Sequence, residues 1–367
     1  MMWKASVVMA MAVPLASAAL ADFALQTVLD TATPIFGSYK KSTGGKAEWM
    51  KSYSDETLLV HMNIPGTHDS ATWNYTQATQ DAMRGLTDLN QCQDSPFIDM
   101  LDMGIRAFDL RYAFDPTNST LIFYHSQALL SQTATVDDVL FGFYQWLDDH
   151  PSETIFLSFQ YQGSTALYAS NNAASSTISS PPPSRAIISR KQNELGTLGD
   201  SRGKITLMRR FDLDKLPDSY TAALPGLHFS PSLWTDNGPD ITLEYNTAKD
   251  LSAYIEDYYQ PLTPTGSSAI ENIRWKYNAT VEHIRKATSQ HPDSLFWTWA
   301  SSNNIENNPP DWPRIMALGN GTGYTPAGGV NQQLVPFLER QKGKRVGIVM
   351  FDFFEQPSDL IDTFLDL

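Results

Sequence analysis

The sequence predicts an α/β protein folded as an irregular (β/α)8 barrel of the TIM type, in one domain. Three observations lead there. Roughly eight short apolar runs alternate with stretches of helical periodicity. Charged and imidazole side chains recur at or just past the ends of those runs. The 367 residues suffice for one large core, and a single cysteine, Cys92, means that no internal disulfide can substitute for that core.

Residues 1–21 read as a secretory signal peptide: Lys4 supplies the charge, Ala5–Val13 the short apolar middle, and Ala18-Ala19-Leu20-Ala21 the small residues of a cleavage site. The remainder, 22–367, is assigned to the barrel. Its first strand is expected at Leu58–Ile64, stopped by Pro65-Gly66, so that His68 and Asp69 sit at a strand's carboxyl end. A helix over Ile98–Met103, halted by Gly104, precedes a strand Ile105–Arg111 in which Ala107, Asp109 and Arg111 share a face. A further strand, Leu121–Tyr124, ends on His125.

Thr135 caps a helix whose Val136, Val139, Leu140, Phe143 and Leu147 form a core stripe, and His150-Pro151 ends it. Strand Glu153–Gln160 runs into residues 163–184, rich in Ser, Ala and Asn and closed by three prolines, which read as a surface insertion. The turn Asp200–Gly203 leads to a strand Lys204–Arg210. Asp257-Tyr258-Tyr259 precedes a long helix over Ser267–Ser289, followed by a strand Ser294–Trp299, a loop through Trp312, a helix Gln332–Arg340 and a strand Arg345–Phe351 ending at Asp352.

The formal charge of −14 argues against nucleic-acid binding and against simple electrostatic adsorption to an anionic membrane. Lipid contact must be apolar or site-specific. Trp49, Trp73 and Trp312 are candidates for it, Trp312 foremost, with core packing the competing role for each. Sequons at Asn74, Asn118, Asn278 and Asn320 fit a secreted glycoprotein, the acid-interrupted end Leu360–Leu367 carries no lipid-anchor signal, and a monomer is expected.

His68, Asp109 with Arg111, His125, Arg210 and Asp352 each close a different expected strand, and a barrel brings such ends to one rim. Two imidazoles and a guanidinium around one cavity suit phosphodiester transfer. One imidazole takes a proton from the attacking hydroxyl, the other protonates the leaving oxygen, and the guanidinium meets the charge on phosphorus.

Several motifs, in order, resemble the phosphatidylinositol-specific phospholipases C of the bacterial, single-domain type: Ile64–Ser70, Gly104–Arg111, Tyr124-His125, Glu153-Thr154-Ile155, Arg202–Arg210, Asp257-Tyr258-Tyr259 and Arg345–Asp352. The resemblance spans about Trp49 to Asp352. It implies cleavage of phosphatidylinositol, or of the same linkage in glycosyl-phosphatidylinositol anchors, to diacylglycerol and a cyclic inositol phosphate. It also implies roles: His68 oriented by Asp352 as base, His125 helped by Asp69 as acid, Asp109 holding Arg111 on the phosphate. Arg210, Asp257 and Tyr259 would contact the inositol, with Gln160 where the family often has lysine. No metal and no cofactor are implied, because a guanidinium at Arg111 replaces the acidic calcium ligand of metal-dependent relatives. Two other functions compete. A barrel phosphodiesterase for another glycerophosphodiester would need a carboxylate cluster and a metal, and a non-catalytic inositol-lipid or glycan binder would have no use for a complete acid–base set.

Overall fold

The computed structural model describes residues 4–75, 87–162 apart from Pro116, Asn118 and Gln127, 192–212, Pro217, Ser219 and 224–367. The proposed insertion at 163–184 and the sequon at Asn118 lie outside the described residues.

Eleven strands form one sheet: β1 (Ile64–Thr67), β2 (Ala107–Phe114), β3 (Leu121–His125), β4 (Ala128–Leu129), β5 (Thr154–Tyr161), β6 (Lys204–Arg210), β7 (Leu227–His228), β8 (Ile241–Asn246), β9 (Leu251–Glu256), β10 (Leu295–Trp299) and β11 (Ile348–Phe351). They lie in the order β7-β6-β5-β2-β1-β11-β10-β9-β8, with the β3–β4 hairpin off β2. From β7 round to β9 every neighbour pair is parallel, as eight barrel staves require, and antiparallel β8 occupies the remaining edge. Among the described residues β7 and β8 do not pair, so the barrel is irregular and not fully closed.

Period-two alternation separates two cores. Inward residues Ile64, Ala107, Phe156, Met208, Ile255, Trp297, Ile348 and Met350 pack inside the barrel. Outward Phe108, Leu157, Leu207, Val349 and Phe351 pack under the surrounding helices. Gly66 belongs to the inner layer because a side chain has no room there: a Cβ would lie 2.5 Å from Met350 Sδ and 2.8 Å from the Ala107 carbonyl oxygen.

The helices follow their sequence signals closely. Thr135 accepts from Asp138 N while the Asp138 carboxylate accepts from Thr135 N, a complete capping box for Val136–Asp149. Ser268 caps Ala269–Ser289, and Pro313–Leu318, Val330–Glu339 and Leu360–Leu365 carry core residues after it. The N-terminal helix runs from Lys4 to Phe36, continuous across residue 21. Its second half, through Ala32, Ile35 and Phe36, is core, with Phe36 edge-on to Phe143 at 5.3 Å. Gly142 permits that approach, because a Cβ there would sit 2.6 Å from the Phe36 ring. Among the described residues no helix is long and apolar enough to cross a membrane.

Three expectations are corrected. Leu58–Ile64 is not a strand: Leu59–His61 is a short 3-10 turn and β1 begins at Ile64. The run is apolar because Leu59 and Met62 plug the lower end of the barrel. Leu121–His125 is not a stave but folds back antiparallel on β2, because Asp115 accepts from Ser119 N and Thr120 N in a turn too short for a parallel crossover. The turn expected at Asp200–Gly203 is confined to Arg202-Gly203, because Leu198–Ser201 form one helical turn capped by Thr197. Strands β7, β8 and β9 had no reading of their own; β8 shows the alternating burial of a half-exposed edge.

At the lower rim the Arg106 guanidinium meets Glu153 Oε2 at 2.8 and 3.0 Å, donates to the Leu101, Ile105 and Ala47 carbonyls, and lies 4.7 Å from the Trp146 ring centre. Both charged side chains are fully buried. Arg106→Ala strands Glu153 without its partner and is expected to lower unfolding free energy by about 3–5 kcal/mol; chemical denaturation measures it, and a loss below about 1 kcal/mol would contradict this account.

Candidate active site

Strand phase builds the site. Continuing each inward row to its carboxyl end leads from Gly66 to His68, from Ala107 through Asp109 to Arg111, from Phe156 through Ser158 to Gln160, from Met208 to Arg210, from Ile255 to Asp257, and from Met350 to Asp352. Register then aligns them. Thr67 pairs with Phe351, which sets His68 beside Asp352, and Arg111, Gln160 and Arg210 stand in one row across β2, β5 and β6. Just after His68, His125 and Asp352 the chain turns sharply, since Asp69, Ser126 and Phe353 all have positive φ. Such left-handed backbone costs on the order of 1 kcal/mol per residue and is held by its surroundings. Here Gln93 Nε2 donates to both the His68 and Phe351 carbonyls at 2.8 Å, and Asn331 Nδ2 donates to the Asp352 carbonyl at 2.8 Å.

The two imidazoles have assigned protons by geometry. His68 Nδ1 lies 2.8 Å from Asp352 Oδ1 and donates to it, while Arg111 Nη2 donates to His68 Nε2 at 2.8 Å, so Nε2 offers its lone pair to the cavity. His125 Nδ1 lies 3.0 Å from the Asn90 carbonyl oxygen and 3.1 Å from Asp69 Oδ2; both only accept, so Nδ1 carries hydrogen. Burial pushes the pKa of His68 down, but Asp352 and Asp109 outweigh it and Arg111, and the net direction is upward. For His125 burial prevails over the pull of Asp69 and its pKa falls.

Arg111 is fixed by carboxylates. Its Nε and Nη2 each lie 3.1 Å from Asp109 Oδ2, and Nε lies 3.8 Å from Asp69 Oδ2. Burial opposes the charge of Asp109, but Arg111 and Arg210 beside it hold its carboxyl below the usual range. Arg210 reaches Asp257 Oδ2 at 3.4 Å and Asp109 Oδ1 at 3.9 Å.

These groups line a cavity of about 990 Å³ at the upper rim, with His68, Arg111, His125, Gln160, Arg210, Asp257 and Tyr259 all on its wall. Asp69, Asp109 and Asp352 lie buried behind them. Thus the structure brings all ten expected site residues together. Gln160 Oε1 has no partner among the described residues and Tyr259 donates to Asp236 at 3.1 Å. The three tryptophans fare differently: Trp49 donates to the Gly104 carbonyl and Trp73 to the Ile35 carbonyl, both as scaffold, and Trp312 is half-buried at the start of the helix Pro313–Leu318.

Trp234 was missed. Its ring centre lies 3.8 Å from the Arg210 guanidinium carbon, and its Nε1 donates to Asp257 Oδ2 at 2.8 Å. It therefore fixes two side chains of the cavity wall at once. Nothing local marks it, since it follows a short Pro-Ser-Leu turn far in sequence from both partners. Trp234→Ala is expected to raise KM about tenfold with a smaller change in kcat, consistent with the free energy of a desolvated cation–π pair; steady-state kinetics that left KM unchanged would refute the role.

The family model for the phosphatidylinositol-specific phospholipase C X domain matches residues 62–211. The 1-phosphatidylinositol phosphodiesterase of Listeria monocytogenes is 30% identical over 322 residues, 85% of this chain and 82% of that protein. The Staphylococcus aureus protein of the same name is 23% identical over 235 residues, 61% of this chain and 68% of its own. A solved phosphatidylinositol-specific phospholipase C from S. aureus superposes with a TM-score of 0.68 at 19% identity, covering 88% of this chain and 97% of that one, and so shares the barrel fold.

Proposed function

The chain belongs to the phosphatidylinositol-specific phospholipase C family, and from that premise we propose that it cleaves phosphatidylinositol by intramolecular phosphoryl transfer. The observation that carries this reading is the pair of opposed His–Asp dyads, His68–Asp352 and His125–Asp69, with Arg111 between them. His68 Nε2 takes the proton of the inositol 2-hydroxyl, and that oxygen attacks phosphorus. Arg111 exchanges its contact with His68 for the phosphoryl oxygens, where charge accumulates. His125 delivers a proton to the diacylglycerol oxygen as its bond to phosphorus breaks, and a cyclic inositol phosphate remains. Water can open that ring with the roles reversed.

Gln160, Arg210, Asp257 and Tyr259, braced by Trp234, would hold the inositol hydroxyls, the unpartnered Gln160 Oε1 being available to accept from one. Leu233, Leu262 and Ile305 follow β7, β9 and β10 at the rim and are 62%, 67% and 43% exposed, so they supply an apolar contact for the acyl-bearing surface more readily than half-buried Trp312. Secretion rests on the composition of residues 1–21.

Phosphorus NMR of the products from phosphatidylinositol vesicles, in chelator, tests the reading. A cyclic inositol phosphate signal supports it; product formed only when calcium is added back would overturn the role of Arg111, and no product in either condition would favour a non-catalytic binder.

The rate should follow a bell-shaped pH profile. The reactive form has His68 neutral and His125 protonated, although the raised pKa of one and the lowered pKa of the other favour the opposite distribution. The acid limb then lies below the ordinary histidine value of about 6.5 and the alkaline limb above it. Asp69→Asn removes a charge that supports the His125 imidazolium, so it should shift the acid limb to lower pH and reduce the maximum. A kcat/KM profile flat from about pH 5 to 8 would rule out paired histidine catalysis.

A further inference from the structure

Cys92 stands where the two dyads meet, yet the transfer reaction gives it no task. Its sulfur forms one close group with a ring nitrogen of His68 and a carboxylate oxygen of Asp352, and another with Asp69 and His125, the ligand atoms of each group lying within 4.8 Å of one another. The thiol is buried but lines the cavity. Its backbone is pinned, with Cys92 N donating to Thr72 Oγ1 at 3.0 Å and its carbonyl accepting from Phe353 N at 2.9 Å.

A second observation points to a ligand. Asp352, 1% exposed, spends Oδ1 on His68 and has no hydrogen-bond partner for Oδ2 among the described residues. Around the cavity floor Asp69, Asp109, Asp257 and Asp352 outnumber the guanidinium groups of Arg111 and Arg210, so with neutral imidazoles the local field favours a cation. Arg111 lies against Asp69 and Asp109 and makes no ion pair with Asp352, which makes the Asp352 side the more open to a positive ion. One sulfur, one imidazole nitrogen and one carboxylate oxygen suit zinc and its thiophilic neighbours, whereas magnesium and calcium prefer oxygen alone.

We propose that the cavity floor binds one Zn²⁺ through Cys92, His68 and Asp352, with water or hydroxide in the fourth position, and that the ion shuts the site down. On binding, the thiol releases its proton to solvent as the S–Zn bond forms, Arg111 gives up its contact with His68 Nε2, and that nitrogen takes either the metal or, where Nδ1 takes the metal, the hydrogen that Nδ1 gives up; the ligand atoms draw together by up to about 1 Å to reach bond lengths near 2.0–2.3 Å. Whichever ring nitrogen it uses, a zinc-bound His68 is a poor proton acceptor. The metal is thus an inhibitor, distinct in sense from the calcium that assists metal-dependent phosphodiesterases.

The test has two readouts. Phosphatidylinositol cleavage is measured against Zn²⁺ concentration for wild type, Cys92→Ala and Cys92→Ser; in parallel, Cd²⁺ is titrated into substrate-free protein and thiolate–metal absorbance is recorded. Wild type should be inhibited by zinc, and chelator should reverse the inhibition. Either Cys92 variant should cleave in the absence of zinc and require at least about 30-fold more of it for inhibition. Wild type should show the cadmium band at one ion per chain, His68→Ala should weaken it about tenfold, and His125→Ala should leave it unchanged. Equal zinc sensitivity in both Cys92 variants, no cadmium band, or weakening by His125→Ala instead of His68→Ala would each overturn the proposal. The cadmium titration involves no turnover, so its outcome stands apart from the identity of the lipid substrate.

Discussion

His68→Ala is expected to reduce kcat for phosphatidylinositol cleavage by about 10³- to 10⁴-fold, equivalent to ~4–5.5 kcal/mol of transition-state stabilisation, while the fold persists. The persistence follows from exposure and partners: His68 lies at the end of β1, and the ladder to β11 is made by backbone groups from Ile64 to Phe351. The loss follows from chemistry, since the other imidazole on the cavity wall, His125, is committed to protonating the leaving oxygen and cannot also take the proton that His68 accepts. Asp352→Asn should cost less, about 10- to 100-fold. An amide can still orient Nδ1 by accepting through its oxygen, but the charge that favours the imidazolium is gone. Stopped assays on purified variants, with unfolding curves alongside, provide the measurement. A decrease of less than tenfold for His68→Ala in a folded protein would remove this side chain from the mechanism.

Arg111→Lys is expected to lower kcat/KM about 10²- to 10³-fold even though charge is conserved. The guanidinium spans Asp109, Asp69 and the His68 ring with separate nitrogens. An ammonium is a point donor on a flexible stem and cannot meet these groups and two phosphoryl oxygens together. Alanine is a poorer probe here. It would leave two buried carboxylates without their cation, and a folding defect of several kcal/mol would obscure the chemical one. Lysine keeps the balance and isolates the geometry. The same assay in chelator and in calcium distinguishes loss of positioned charge from a hidden metal requirement; near-normal activity of Arg111→Lys would show that only the charge matters.

Most of the proposed acid–base set was legible in the sequence because of period. An inward row in a strand continues to its end, so Asp109 and Arg111, Arg210, and Asp352 could each be placed at a rim from a run of apolar residues alone. His125 was found by the same rule for a partly different reason. Its strand is no stave but the return arm of the β2–β3 hairpin, and that arm leans over the mouth. Alternation is the same in either direction, so the wrong topology still placed the right residue at a strand end. Leu58–Ile64 misled in the opposite way, since apolar composition reports burial, and a turn plugging the barrel is as buried as a stave. Strands β7, β8 and β9 escaped because two-residue pairing and half-exposed alternation leave little periodic signal, and Asp257 and Tyr259 just past β9 were named only through the family resemblance.

The sequence by itself determined the barrel class and placed both imidazoles, Asp109, Arg111, Arg210 and Asp352 at strand ends, because these depend on residue type and on repeat lengths of two and 3.6 that neighbouring residues express together; the matching of Asp69 to His125 and of Asp352 to His68 was implied by the family resemblance. Only the tertiary structure decided the pairings. That Gln93 joins the ends of β1 and β11, that Trp234 braces Arg210 against Asp257, that Arg106 closes on Glu153, and that Cys92 lies between the dyads are contacts between segments distant along the chain. Such contacts are fixed by register and by the packing of one layer on another, which no local stretch encodes.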